Sequence, residues 1–343
     1  MTMASFTLHR PRTLAEALEI LKTHAGDIRI VAGGSDLVIN MRMRIETPAH
    51  VLELRGIDEL RGISFDAETG LRIGALTTIA ALAGDENVRA HFPVVASAAS
   101  QVAGPNIRNV GTVGGNLCLD TRCVYYNQSY FWRKANNFCL KKDGTVCHVA
   151  PGSQKCWAAY SGDLAPALLT LGASVKLISP RGERTLPLDQ FFIDDGIKKY
   201  DLQPDEILCE VRVPASAAGY RGVYNKFRIR DSVDYPLAAA AVAVKIDDTG
   251  VCTDAAVAVT GVNPSPRFVE GVRELFVGKT LTEDALEKAT DLTRRTAKPL
   301  RTSASTTTYR RHIIGVLARR GLATSFASFD ATSLPQGGEA DTQ

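Results

Sequence analysis

Between Cys118 and Cys156 the chain reads CLDTRCVYYNQSYFWRKANNFCLKKDGTVCHVAPGSQKC, and five of its seven cysteines fall in those thirty-nine residues. The stretch is too poor in aliphatic residues to build a core of its own. Whatever the rest of the chain folds into must therefore carry this loop and decide where its thiols meet. The compartment matters to how they are read. The opening, MTMASFTLHRPRTLAEAL, lacks the apolar core of an export signal, and no apolar run reaches the roughly 20 residues that cross a bilayer. This predicts a cytoplasmic location and no membrane. In a reducing compartment, clustered thiols point to metal rather than to disulfides.

Four cysteines, Cys123, Cys139, Cys147 and Cys156, suit one centre, with fifteen, seven and eight residues between them. The spacing is neither the close ferredoxin pattern nor a clean zinc-finger one. Four thiolates hold zinc or a [4Fe–4S] cluster, and a loop without metal is the third reading. His148 adjoins Cys147 and reads as lying outside the ligand set. Cys118, in GGNLC, reads as a packing residue and reserve ligand. Cys209 in EILCEVRV and Cys252 in GVCTDAAVAV read as buried strand thiols. The aromatics Tyr125, Tyr126, Tyr130, Phe131 and Trp132 are expected to pack the loop, and Trp157 to anchor its return. The excess of Arg122, Arg133, Lys134, Lys141, Lys142 and Lys155 over Asp143 either steers an acidic partner or is solvated charge that offsets a negative cluster.

The remainder has ordinary globular composition, with 45% hydrophobic residues, 22% charged residues and a formal charge of +3 over 343 residues. That supports two or three cores and excludes a general nucleic-acid surface. Thr13 and Glu16 have capping-box spacing before a helix whose apolar face is Leu14, Ala17, Leu18 and Leu21, with Gly26 as its stop. Strands are expected at Val51–Leu54, Leu71–Ala75, SVKLIS and Ile207–Val213, with helices at Thr78–Ala83, HFPVVASAASQVA and SGDLAPALLTLGA. After Pro214 a smaller sheet is expected from Tyr224–Arg228, Ala238–Lys245 and Ala255–Thr260, followed by helices near Glu283–Thr296 and Tyr309–Arg319.

Two glycine loops stand out, IVAGGSDL and NVGTVGGN. Glycines allow tight turns, and exposed N–H groups in such loops cradle pyrophosphate oxygens. Ser35 can add a donor, and Asp36 can cap a helix or meet a ligand. Neither loop has the GxGxxG or P-loop pattern, so each alone also reads as a simple turn. Together they allow one dinucleotide held between two anion-binding loops.

IVAGGSDL, IRNVGTVGGN and SGDLAPALLTLGA, with YNKFRIRDS and YRRHIIGVLARRGL further on, resemble the FAD-binding medium subunits of the molybdenum hydroxylases, the group including xanthine dehydrogenase and carbon monoxide dehydrogenase. The resemblance implies an α+β fold: an FAD-binding domain over 1–216 of two subdomains split near 58, a smaller α/β C-terminal domain over 217–322, and a mobile tail from 323 to 343. It implies that Arg29, Ile30, Val31, Ala32, Gly33, Gly34, Ser35, Asp36 and Leu37 run along FAD. Val102 and Ala103 line the flavin side, and Gly111, Thr112, Gly114, Gly115 and Asn116 form the second loop. Asp163 lies near the ribose and phosphate, and Leu208 and Lys226 beside the isoalloxazine, where a positive Lys226 would stabilise reduced flavin. Tyr160 stands where the family often has proline. No catalytic residue is expected on this chain.

In related medium subunits the GGN loop runs almost directly into the SGDLAP-like segment; here residues 119–159 intervene. This insertion resembles that of the 4-hydroxybenzoyl-CoA reductase branch of the family. The resemblance implies a [4Fe–4S] cluster on Cys123, Cys139, Cys147 and Cys156, with electrons passing from a ferredoxin through the cluster and FAD. It also implies a small subunit with two [2Fe–2S] clusters, a large subunit with the molybdenum cofactor and the organic substrate, and a dimer of such heterotrimers. The implied reaction is reductive dehydroxylation to benzoyl-CoA, a step of anaerobic aromatic catabolism.

Overall fold

The computed structural model describes residues 3–302 and 304–327. Its strands are β1 (Thr7–His9), β2 (Ile28–Val31), β3 (His50–Glu53), β4 (Ile63–Asp66), β5 (Gly70–Gly74), β6 (Ser174–Ser179), β7 (Gly182–Pro187), β8 (Ile207–Val213), β9 (Arg221–Phe227), β10 (Ala238–Ile246), β11 (Cys252–Thr260) and β12 (Arg267–Phe268). They form three sheets: a parallel one ordered β1-β3-β2, an antiparallel one ordered β4-β5-β8-β6-β7, and an antiparallel one ordered β12-β11-β10-β9.

Local signals place most elements. The Thr13 hydroxyl accepts the Glu16 N–H at 3.2 Å and starts the helix Leu14–Thr23, which buries Ala17, Leu18 and Leu21. The Glu16 carboxylate returns not to the cap residue but to the Arg12 N–H, at 2.8 Å. Gly26, with φ 96°, lies beyond the cap residue His24.

Strand β10 joins the two halves of the chain. Its alternation sends Ala239, Ala241 and Ala243 into the core of the middle region, and Ala238, Ala240, Val242 and Val244 into the C-terminal core. The small alanines admit the helices Pro93–Ser100 and Leu164–Thr170 on one side. The helices Glu283–Thr296 and Thr307–Phe326 complete the C-terminal core. The last of these runs beyond the Arg319 expected from sequence and takes up the first residues assigned to the tail; the tail from 328 lies outside the described residues. Buried Arg310 pins this helix by donating to the carbonyl oxygens of Leu237, at 2.8 Å, Leu300 and Gly261. Among the described residues no helix is long and apolar enough to cross a membrane.

The insertion has no sheet of its own. Tyr126 and Cys139 pack on Ile45, with Met43 and Cys123 at the edge. Arg133, 1% exposed, donates to the Arg44 carbonyl at 2.9 Å. The aromatic packing expected from sequence is only partly realised. Tyr126 is buried, but Tyr130, Phe131 and Trp132 on the helix Tyr130–Ala135 face solvent, Phe131 at 74%.

Candidate cofactor site

The first glycine loop leaves the end of β2. Gly34 turns with φ 74°, a backbone state open to glycine. A Cβ on Gly33 would come within 2.1 Å of the Val110 carbonyl oxygen, so the two glycine loops touch backbone to backbone. The N–H groups of Gly33, Gly34 and Ser35 have no acceptor among the described residues. The second loop differs from the expected twin cradle. It is a short helix, Val113–Leu117, whose amides are already used. Gly114 donates to the Ala75 carbonyl at 2.8 Å, Gly115 to the Thr112 hydroxyl at 3.1 Å and Asn116 to the Thr112 carbonyl at 2.9 Å. Its contribution is a close surface, and Asn116 Oδ1 accepts the Leu164 N–H at 3.0 Å to start the next helix.

Between these loops lies a cavity of about 630 Å³. Ile30, Val31, Ala32, Gly33, Gly34, Ser35, Asp36 and Leu37 line it, as do Val102, Ala103, Gly111, Thr112, Gly114, Gly115, Asn116, Asp163 and Leu208. Two expected residues are not in its wall. Arg29 turns outward to Glu46 at 2.9 Å with its side chain 46% exposed. Lys226 is fully buried and paired with Asp163 at 3.0 Å, and it also donates to the Gln101 carbonyl at 3.0 Å. The free cation expected beside the cofactor is thus neutralised. Burial raises the Asp163 carboxyl, with Lys226 and the Tyr224 hydroxyl, 2.6 Å away, pulling it down. Sequence reasoning missed Ile79, Cys118, Ile229, Tyr235 and Leu237 in the wall. Ile229 and Tyr235 lie on the loop after β9 and are 66% and 40% exposed, whereas Leu237 is buried, and no local pattern marks the three as one wall.

Asp36 occupies the cap position of the helix Leu37–Arg42 but makes no capping bond. Its carboxylate accepts instead from the Asp120 N–H at 3.1 Å and from Arg122, whose guanidinium stacks on Tyr235 at 4.3 Å. Tyr160 uses the N–H that a proline would lack, donating to the Asn263 carbonyl at 2.9 Å, while its hydroxyl meets the Asn116 carbonyl at 3.0 Å.

From the cavity wall at Leu119 the chain reaches Cys123 in four residues, at most roughly 14 Å even when fully extended. Cys123, Cys139, Cys147 and Cys156 line one small hollow with Tyr125, Tyr126, Lys141 and His148, and Cys118 lies in the larger cavity instead. None of the seven cysteines is in a disulfide. Asn137 and Phe138 hold left-handed backbone, with φ 57° and 56°, where the chain turns into Cys139. Burial pushes the Cys156 thiol up to about 12, with the Ala158 N–H and the Lys141 ammonium acting against it. His148 bonds to the Phe138 carbonyl beside the hollow.

The basic residues of the insertion are neither free nor solvated for the most part. Lys141 pairs with Asp120 at 2.8 Å, Arg122 with Asp36, and Lys155 with Asp194 at 2.6 Å. Arg133 is buried, and Lys142 stands 3.9 Å from Asp143. Lys134 is exposed.

A sequence profile of the FAD binding domain in molybdopterin dehydrogenase matches residues 4–216, and one of the CO dehydrogenase flavoprotein C-terminal domain matches 222–325. The chain belongs to the FAD-binding medium subunits of the molybdenum hydroxylase family. It is 30% identical to the carbon monoxide dehydrogenase medium chain of Afipia carboxidovorans, over 94% of this chain and 97% of that one. It is 32% identical to the nicotinate dehydrogenase FAD-subunit of Eubacterium barkeri, over 83% and 84%. The structure of carbon monoxide dehydrogenase from Hydrogenophaga pseudoflava superimposes with a TM-score of 0.78 at 28% identity, covering 95% of this chain and 99% of that chain. This medium subunit is thus an electron-transfer flavoprotein of a multi-subunit molybdenum oxidoreductase. The cavity fits FAD on its own terms: its volume is in the range of cofactor sites, and its walls from Ile79, Val102, Leu208 and Leu237 are apolar. Three uncommitted amides stand at one end, where a pyrophosphate needs donors.

Proposed function

We propose that this medium subunit carries two redox centres: FAD in the large cavity, and a [4Fe–4S] cluster on Cys123, Cys139, Cys147 and Cys156. One observation supports a metal centre here: Cys123, Cys139, Cys147 and Cys156, spread over thirty-four residues, line one small hollow. Four thiolates gathered in this way suit a [4Fe–4S] cluster or zinc, and the resemblance of the insertion to that of the 4-hydroxybenzoyl-CoA reductase branch favours the cluster. When bound, the cluster supplies single electrons and FAD exchanges one or two. Lys141 offsets the charge of the cysteine set from one side, and residues 119–123 join it to the cavity wall. The residues proposed to hold FAD are those lining the cavity, with the pyrophosphate on Gly33, Gly34 and Ser35.

In this reading the subunit belongs to a 4-hydroxybenzoyl-CoA reductase-type complex. Electrons from a ferredoxin enter at the cysteine hollow and leave from the flavin cavity toward the small and large subunits, where the phenolic hydroxyl is removed. The exposed Tyr130, Phe131 and Trp132 beside the hollow supply the contact face that the paired cations do not. A second reading rests on the relatives named above, which are carbon monoxide and nicotinate dehydrogenases. There the complex oxidises an aromatic or heterocyclic substrate and electrons run outward.

Iron and acid-labile sulfide analysis of anaerobically purified protein tests the cluster. About four irons per chain are expected, and Cys147→Ala should lose most of them while keeping its flavin absorbance. Zinc in place of iron and sulfide would end the two-centre reading.

A further inference from the structure

Three of the six histidines, far apart in sequence, meet at one edge of the parallel sheet. His9 ends β1, His50 begins β3 and His24 caps the helix Leu14–Thr23. One ring nitrogen from each lies within 4.8 Å of the others, and all three residues are half-buried. His9 Nε2 stands 3.0 Å from His50 Nδ1, and the His24 ring stacks on the His50 ring at 3.8 Å between centroids. That contact is a hydrogen bond between the two imidazoles, and since the tetrahedral edge of a zinc site with Zn–N bonds of about 2.05 Å is about 3.3 Å, an ion would take the place of the shared proton with little movement of this pair.

The backbone fixes this arrangement. Asp27 accepts the His50 N–H on its carbonyl at 3.1 Å and donates its own N–H to the His24 carbonyl at 3.2 Å. Its carboxylate accepts the Ala49 N–H at 3.0 Å. His9 is tied to the same strand through the pairing of β1 with β3. The third nitrogen, from His24, lies within 4.8 Å of the other two. The end of a helix also favours a cation through its unpaired carbonyl groups. The Asp27 carboxylate is spent on the backbone, which leaves the imidazoles as the donors. His50 pairs with Ile28 at the start of β2, whereas the glycine loop follows the other end of that strand, so this place is separate from the flavin cavity.

We propose that His9, His24 and His50 form a divalent metal site, selective for zinc or another ion that favours imidazole nitrogen, with water completing its coordination. Three neutral imidazoles are the donor set that suits zinc, copper and nickel. A bound ion ties together the first strand, the first helix and the third strand, and so stabilises the N-terminal subdomain by mass action.

The test uses the full chain with its flavin, purified anaerobically, and zinc as the probe. Equilibrium dialysis with metal analysis should show one zinc per chain that His24→Asn and His50→Asn each weaken at least tenfold. Zinc should raise the melting temperature of the parent protein but not of these variants. X-ray absorption at the zinc edge separates this site from any zinc at the cysteines, because nitrogen or oxygen neighbours lie near 2.0–2.1 Å and sulfur near 2.3 Å. His9→Asn, on the short edge strand, serves if either variant loses its flavin. Unchanged zinc stoichiometry and affinity in a folded variant, or a zinc shell made only of sulfur, would overturn the proposal. The outcome is independent of whether the cysteines hold iron.

Discussion

Gly33 shows how one missing side chain shapes the cofactor site. A methyl group there would collide with the Val110 carbonyl at 2.1 Å, and backbone cannot yield as a side chain does. Gly33→Ala is expected to push the two glycine loops apart at a cost of roughly 1–3 kcal/mol. The flavin content of purified protein, read from its visible absorbance, should fall severalfold. Gly84→Ala, whose Cβ would meet nothing within 4 Å, should leave flavin content unchanged. The sequence marked both glycine loops, and the structure gives them different work. The first leaves its amides available, while the second spends its amides on the Thr112 cap and on Ala75. Lys226 carries the same lesson. Its charge was visible in the sequence, but its partner Asp163 lies sixty-three positions away in the chain.

At the scale of elements, the insertion is held by charge. Asp120 is clamped between Lys141 at 2.8 Å and Lys199 at 2.6 Å. Burial alone would raise its carboxyl, but the two ammonium groups override this and hold it well below its ordinary value of 3.8. A depressed folded value contributes stability that is present above pH 3.8 and is lost as the pH falls toward the folded value. Acid titration followed by near-UV circular dichroism should therefore show the insertion loosening below about pH 4. Asp120→Asn should lower stability by about 3 kcal/mol near neutral pH, because two buried or half-buried ammonium groups lose their partner. It should also flatten the acid limb, and an acid limb as steep as that of the parent protein would count against the clamp. The first helix shows how far local pattern reaches. Thr13 caps it as its spacing indicates, yet the Glu16 carboxylate chooses the Arg12 N–H, which no spacing rule distinguishes from its neighbour.

At the scale of the whole molecule, the question is the direction of electron flow. The medium subunit spans nearly the full length of the carbon monoxide dehydrogenase chains it resembles. Nothing in that shared scaffold fixes whether electrons arrive or leave at FAD. The proposed entry point lies in the insertion, so the complete multi-subunit complex is the object to assay. Reduced ferredoxin should support conversion of 4-hydroxybenzoyl-CoA to benzoyl-CoA only when all three subunits are present. Oxidation of an aromatic or heterocyclic substrate, with no such conversion, would assign the complex to the hydroxylases. Because most cations of the insertion are paired, raising ionic strength should slow ferredoxin-linked turnover only weakly.

Much of this protein was legible in the chain itself. Strand Ile207–Val213 and helix Glu283–Thr296 follow from side-chain period and caps, and these act over a few residues. The glycine loops and the cysteine spacing are likewise local and marked two places on the chain; the family resemblance supplied most of the expected cavity residues, while Ile79, Cys118, Ile229, Tyr235 and Leu237 in the wall escaped both. Which charges pair, which side chains share the hollow with the four cysteines, and that His9, His24 and His50 meet at all were decided by tertiary structure. Those distances depend on how distant segments pack, and a side chain's burial and partners are set by neighbours that its own stretch of sequence does not encode.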